Sequence, residues 1–290
     1  MHVATRSMWL MLSLALMGLV VAPAAAQADD WTPGHYMEQA LSTVKGSVLS
    51  VMGDSDLGLD EGTCVFGALL QPESSVSVEY EFERGVTYAV LGGGDEDAVD
   101  LDIEILGPGG EVLAVDNEPD AVPIAVFTPD SHMQATVVLS LYGQEVPSFT
   151  AMVALREGGR QVPEGSMDQA MDAFFELCAS QASDTNAIFH EEPGHWCLYG
   201  AIVEPGQSAW VRSLPLQAGS HILLGAGDSD LTDLDLFFYQ GDDLFGDDTL
   251  PDAIPVVFAD TGHGSNFQLE LSCASAPTWG FALMGVLDVP

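Results

Sequence analysis

Twelve aspartates stand at positions that recur along the chain. Asp95, Asp97, Asp100 and Asp102 return as Asp228, Asp230, Asp233 and Asp235, and Asp116 and Asp120 return as Asp248 and Asp252. Carboxylates crowded on one turn repel each other unless a cation sits among them. Calcium takes about six to eight oxygen ligands in flexible geometry, which carboxylates and loop carbonyls supply. These twelve are therefore the candidate metal residues, and calcium is the candidate cofactor. A bland reading stands beside it: exposed acidic turns on an acidic protein. An EF-hand is excluded, because Asp54-Ser55-Asp56-Leu57-Gly58 begins like one but no glutamate follows at the twelfth position.

Catalytic constellations are weaker. His190-Glu191-Glu192-Pro193-Gly194-His195 imitates a zinc-protease motif. That motif needs both imidazoles on one face of a continuous helix. Here the spacing is one residue too long and Pro193-Gly194 breaks a helix. No Gly-x-Ser-x-Gly elbow is present. Gly92-Gly93-Gly94 lacks the Lys-Ser/Thr of a phosphate loop. No catalytic residue is assigned. Trp210 and Trp279 are candidates for sugar stacking, yet core packing or one diverged face explains them as well.

The elements that must position these residues repeat too. Cys64-Val65-Phe66-Gly67-Ala68 returns as Cys197-Leu198-Tyr199-Gly200-Ala201, 133 residues later. A repeat of this length is a whole domain. Each copy opens with an amphipathic helix. Met37, Ala40, Leu41, Val44, Val48 and Met52 share a face in the first. Met167, Ala170, Met171, Phe174 and Cys178 share one in the second. Thr32 with Pro33 caps the first helix, and a capping box from Ser166 to Gln169 opens the second. About eight short strands follow, with period-two alternation in segments such as Phe267 to Cys273 and Leu101 to Ile105. The expected fold is mainly β: two tandem jelly-roll-like antiparallel β-sandwiches, each preceded by one amphipathic helix. The expected domains are a signal peptide at 1–28, a first copy at 29–156, a linker at 157–162 and a second copy at 163–290.

Composition narrows the partners. With 6 basic and 44 acidic residues the formal net charge is −38. That excludes the basic surface that nucleic-acid binding requires, and it argues against anionic lipid heads. Arg6, the apolar stretch Met8 to Val21 and small residues before Asp29 form an export signal. The expected location is secreted or periplasmic, without membrane insertion after cleavage. In an oxidising compartment the 4 cysteines are expected to form two disulfides. Cys178 with Cys273 and Cys64 with Cys197 is one pairing suggested by the repeat; Cys178 with Cys197 and Cys64 with Cys273 competes.

In the second copy Gly227-Asp228-Ser229-Asp230 leads into Asp233-Leu234-Asp235-Leu236-Phe237-Phe238-Tyr239. This order resembles the bacterial pre-peptidase C-terminal domain, a jelly-roll-like sandwich of exported proteins. The resemblance implies calcium stabilisation and a non-catalytic role in adhesion, matrix or substrate binding, or export support. The partner would be an extracellular or envelope protein or polysaccharide. A pair of carbohydrate-binding modules is the alternative, and a hydrolase with an acidic site is a third reading. Glycan binding requires an aromatic strip on one sheet face.

Overall fold

The computed structural model describes residues 34–290. The signal segment and the Thr32–Pro33 cap lie outside the described residues. Helix α1 (His35–Asp54) buries Met37, Ala40, Leu41, Val44, Val48 and Met52, the stripe expected from the spacing. Helix α2 (Glu164–Thr185) adds Phe175 and Ala182 to the expected face. Its start departs from the capping box: Pro163 is the N-cap and no side chain caps the helix. The amides of Ser166 and Met167 both donate to the Pro163 carbonyl, so the helix begins before Ser166 is reached. Gln169 turns outward instead, and its side-chain oxygen accepts from the Ser229 amide at 3.1 Å. Gln39 of α1 takes the Glu96 amide in the same way at 3.4 Å. Each helix is thus tied to its copy's aspartate turn.

In the first copy a short β1 (Leu57–Leu59) precedes β2 (Gly62–Leu70), β3 (Ser75–Phe82), β4 (Tyr88–Gly94), β5 (Asp100–Leu106), β6 (Val112–Asp116), β7 (Ile124–Phe127), β8 (Met133–Tyr142) and β9 (Ser148–Glu157). In the second, β10 (Ile188–Phe189) precedes β11 (Leu198–Val203), β12 (Ser208–Leu216), β13 (Gly219–Gly227), β14 (Asp233–Gln240), β15 (Asp243–Asp248), β16 (Val256–Thr261), β17 (Ser265–Ser275) and β18 (Gly280–Val289). One sheet of the first sandwich runs β2-β9-β4-β7 and the other β3-β8-β5-β6. The second sandwich repeats this as β11-β18-β13-β16 and β12-β17-β14-β15. First strand beside last, and second beside next-to-last, is the jelly-roll order. The alternation in β14, β17, β5 and β8 places every second residue in the core.

The two sandwiches do not stand apart. Strands β2 and β11 pair, which fuses one sheet from each copy into a ten-stranded sheet, and the described residues 34–290 form one compact unit. Phe66 sits opposite its own equivalent, Tyr199, while Gly67 faces Leu198 and Val65 faces Gly200. That reciprocity is the signature of a two-fold relation, as at the interface of a symmetric dimer. The expected linker is also pinned, because Leu59 and Arg160 exchange two backbone hydrogen bonds of 2.9 Å.

The helices cover one face of the large sheet and the two four-stranded sheets cover the other. Strand β4 is buried on both faces, and its glycines show why. A Cβ on Gly93 would come within 2.9 Å of the α1 backbone at Val44, and one on Gly92 would press on Pro123 and Ile103. Gly-Gly-Gly is here a close-packing device.

This layering corrects the disulfide expectation. All four cysteines are buried free thiols. Cys178 lies on α2 and Cys273 on β17, on opposite sides of the large sheet. Cys197 adjoins Gly67, its thiol donating to the Gly67 carbonyl at 3.4 Å, so the β2–β11 register holds it away from Cys64. Burial pushes the Cys64, Cys178 and Cys197 thiols far up.

Candidate functional site

Where the twelve aspartates lie explains why both copies carry them. The Asp95 carboxylate accepts from the amides of Phe149 (2.8 Å) and Asp97 (3.2 Å). Asp228 accepts from Phe281 (3.0 Å) and Asp230 (3.1 Å). Both are buried, and desolvation pushes both carboxyls up despite these bonds. Asp116 takes the amides of Glu118 and Ile124, and Asp248 those of Leu250 and Val256. Asp120 and Asp252 each close a turn on the amide two residues ahead. Asp95, Asp116, Asp228 and Asp248 are thus backbone latches that hold loops onto strands, while Asp120 and Asp252 close local turns. Asp97 and Asp230 are exposed partners of the first pair. Asp100, Asp102, Asp233 and Asp235 line the outward side of β5 and β14. One oxygen each of Asp100 and Asp233 is buried without a partner. Desolvation, then the neighbouring carboxylates, pushes Asp102 and Asp235 up. Among the described residues no three His, Cys, Asp or Glu side chains are arranged to hold a metal. Six of the twelve thus accept hydrogen bonds from backbone amides.

The structure gathers other residues. The edge strands β3 and β12 face each other across the two-fold relation and leave a cleft of about 770 Å³ between the outer sheets. Phe66 and Tyr199 form part of its lining, with Phe66 packed edge-on to Tyr199 at 6.2 Å and tilted against Trp196 at 5.5 Å. The two edges are held symmetrically. Trp196 Nε1 donates to the Ser77 carbonyl of β3 at 2.8 Å, and its equivalent Thr63 donates through Oγ1 to the Trp210 carbonyl of β12 at 3.0 Å.

From Trp210 a row of aromatic rings runs along the outward face of the second sandwich. Trp210 lies 5.7 Å from Tyr239 with planes 24° apart, and Tyr239 lies 6.4 Å from Phe237 with planes 28° apart. All three are half-buried. The Arg212 guanidinium rests 4.1 Å over Trp210, and Tyr239 donates to the Glu270 carboxylate at 3.1 Å. In the first copy the same positions hold Ser77, Leu106 and Glu104. Trp279, the other aromatic candidate, lies elsewhere, 5.8 Å beneath the Arg160 guanidinium.

Two polar clusters occupy equivalent places in the two copies, and the first lines the cleft. In the first copy Asp60 accepts from Tyr80 Oη (2.7 Å), the Glu61 amide (2.8 Å) and Arg156 (3.4 Å), and Arg156 forks onto Glu83 with two bonds of 3.1 Å. Desolvation pushes the Asp60 carboxyl up against those donors. In the second copy Asp288 joins His190 Nδ1 (2.9 Å) and His221 Nδ1 (2.7 Å). Nε2 of His221 faces the Gln217 carbonyl and the Thr261 hydroxyl, both at 3.1 Å. Both ring nitrogens of His221 face oxygens, an arrangement that favours the doubly protonated ring. Against the desolvation of burial, the Asp288 bond raises His221, and the two histidines hold Asp288 at about 2. His190 and His195 do come together, rings 5.9 Å apart and 14° from parallel. Nε2 of His190 and Nδ1 of His195 have no partner. Desolvation, then His190, lowers His195. Sequence reasoning missed Asp60, Arg156, His221, Asp288, Phe237 and Tyr239. The one available signal was the mismatch of Trp210, Phe237 and Tyr239 with their counterparts.

No family model and no curated protein matches the chain. Among solved structures the chain is similar to the M60 catalytic domain with the CBM51-1 and CBM51-2 domains of Clostridium perfringens ZmpB. Identity there is 10%, coverage is 80% of this chain and 37% of that one, and the TM-score is 0.25. The chain thus spans little more than a third of that protein's length. It is also similar to the PBSX exported protein XepA, at 11% identity, 79% and 88% coverage and TM-score 0.26. A third is the CBM22-1–CBM22-2 tandem domain of Paenibacillus barcinonensis Xyn10C, at 11% identity, 80% and 93% coverage and TM-score 0.22. The chain is a mainly β protein of jelly-roll sandwiches, and at these scores no function passes from the neighbours to it.

Proposed function

We propose that this chain is a non-catalytic glycan-binding protein, and that the row Trp210–Tyr239–Phe237 is where sugar rings dock. One observation carries the reading. The sister copy folds to the same sandwich with Ser77, Leu106 and Glu104 in those places, so folding does not demand the rings. Aromatic faces attract the C–H-rich faces of pyranose rings, and Glu270 and Gln268 stand beside them to meet hydroxyls. An adhesion or matrix-binding role would act through this surface. The test is calorimetric titration with hexasaccharides of glucose, xylose, mannose and N-acetylglucosamine. At least one should bind, and Trp210→Ala should weaken it roughly tenfold or more, about 1.4 kcal/mol, while the unfolding temperature holds. Absence of binding to every sugar, or a Trp210→Ala protein that binds as well as the parent, overturns the proposal.

A further inference from the structure

Resting on that glycan reading, we infer that the cleft at the end of the aromatic row selects glycans bearing free amino groups, such as oligomers of deacetylated hexosamine. Its two walls differ in kind. The β12 wall presents Trp210. The β3 wall presents Glu79 and Glu81, both exposed, with Glu61 beside them. Arg156, the cation on that side, is engaged by Glu83 and Asp60, and no cation pairs with Glu61, Glu79 or Glu81 among the described residues. Glu79 meets only the Thr136 hydroxyl, at 2.7 Å.

A cation already marks the place a ligand would take. The Arg212 guanidinium lies 4.1 Å over the Trp210 ring, held there by the attraction of a π face for positive charge. A protonated sugar amine satisfies the same face, and the opposite carboxylates add charge-assisted hydrogen bonds that an exposed arginine on β12 does not make. An N-acetylated sugar offers the same ring for stacking but no charge. A uronic acid meets repulsion, both from the β3 wall and from a molecule of net charge −38. The cleft thus adds charge selection to the stacking surface that adjoins it.

The test compares the glucosamine hexamer with the N-acetylglucosamine hexamer by calorimetry, below the pKa of the sugar amine and at low salt. The amine form should bind roughly tenfold more tightly, about 1.4 kcal/mol, and the ratio should shrink as salt rises. In a Glu79→Gln, Glu81→Gln double variant the ratio should fall to about one. A control, Asp172→Asn with Glu176→Gln, removes the same charge from exposed positions on α2, across the large sheet, and should keep the ratio. Equal affinity for the two hexamers, a ratio that survives in the Glu79/Glu81 variant, or a ratio lost equally in the α2 control overturns the inference while the glycan reading stands. Loss of binding to both hexamers in Trp210→Ala supports the shared surface; binding by neither hexamer to the parent removes the ground for amine selection.

Discussion

The two sandwiches match strand for strand yet place opposite charges at one position. Arg156 sits opposite Tyr88 between β9 and β4, and Asp288 sits opposite His221 between β18 and β13. The first copy surrounds a cation with Asp60, Glu83 and Tyr88. The second surrounds an anion with His190 and His221. The outward faces diverge as well, with Ser77, Glu104 and Leu106 against Trp210, Phe237 and Tyr239. The backbone latches, by contrast, are the same in both copies. What the fold demands is therefore the latches, the close-packed glycines and the alternating core. The polar clusters and the outer face were free to specialise.

The latches should give the largest effects. Asp228→Ala leaves the amides of Phe281 and Asp230 without their acceptor and should cost about 2–6 kcal/mol, since each orphaned buried donor costs about 1–3. Asp95→Ala should cost a similar amount. Urea denaturation reads both. A large cost in one copy and none in the other would break the equivalence of the latches.

The charge clusters come next and should be unequal. Asp288→Asn leaves the His221 imidazolium without its counter-ion. Removing one partner of a buried pair costs about 3–5 kcal/mol; Asp288 is one-third exposed, so solvent screening reduces this to about 2 kcal/mol. The His221 pKa should fall in the same variant, which proton NMR detects. Arg156→Met should cost less, because Asp60 keeps the Tyr80 and Glu61 donors. An Arg156→Met cost that exceeds that of Asp288→Asn would reverse this ordering.

A smaller effect separates the clusters by pH. Asp60, Asp95, Asp228 and Glu191 have carboxyls raised by desolvation, so the folded state binds more protons and these groups favour folding less as pH rises through their folded values. His221 is raised too. Its contribution is complete below the unfolded value of about 6.5 and fades as pH climbs through the folded one. Asp288, at about 2 in the fold, contributes above about pH 4 and loses its contribution as pH falls toward 2. His195 is lowered and acts against the others in acid. Unfolding temperature should therefore be higher near about pH 5 than near about pH 8. Asp288→Asn should flatten the rise more than Arg156→Met does. A stability maximum above neutral pH would contradict this balance.

Metal should give the smallest effect. Among the described residues no three acidic or imidazole side chains converge on one point, so calcium and sodium at matched ionic strength should raise the unfolding temperature alike, by screening net charge −38. A calcium-specific rise that Asp233→Asn with Asp235→Asn removes would instead restore those carboxylates as ligands.

Local pattern alone determined a good deal. The helix faces from Met37 to Met52 and from Met167 to Cys178 followed from 3.6-residue spacing, and the strands from period two, because both are written in neighbouring residues. The repeat identified Asp95 with Asp228 and Asp116 with Asp248, but not what the carboxylates bind. Amides of Phe149, Phe281, Ile124 and Val256 come from other segments, so a latch and a metal ligand look alike in a sequence. The same holds for the thiols, whose separation depends on the β2–β11 register and on which face of a sheet each element covers. Tertiary structure decided that Trp210, Phe237 and Tyr239 form one row, since β17 lies between their strands. It also decided that His190, His221 and Asp288 meet across 98 residues of chain. Side-chain chemistry is local, but the partners that give it a role are brought near only when sheets pair and stack.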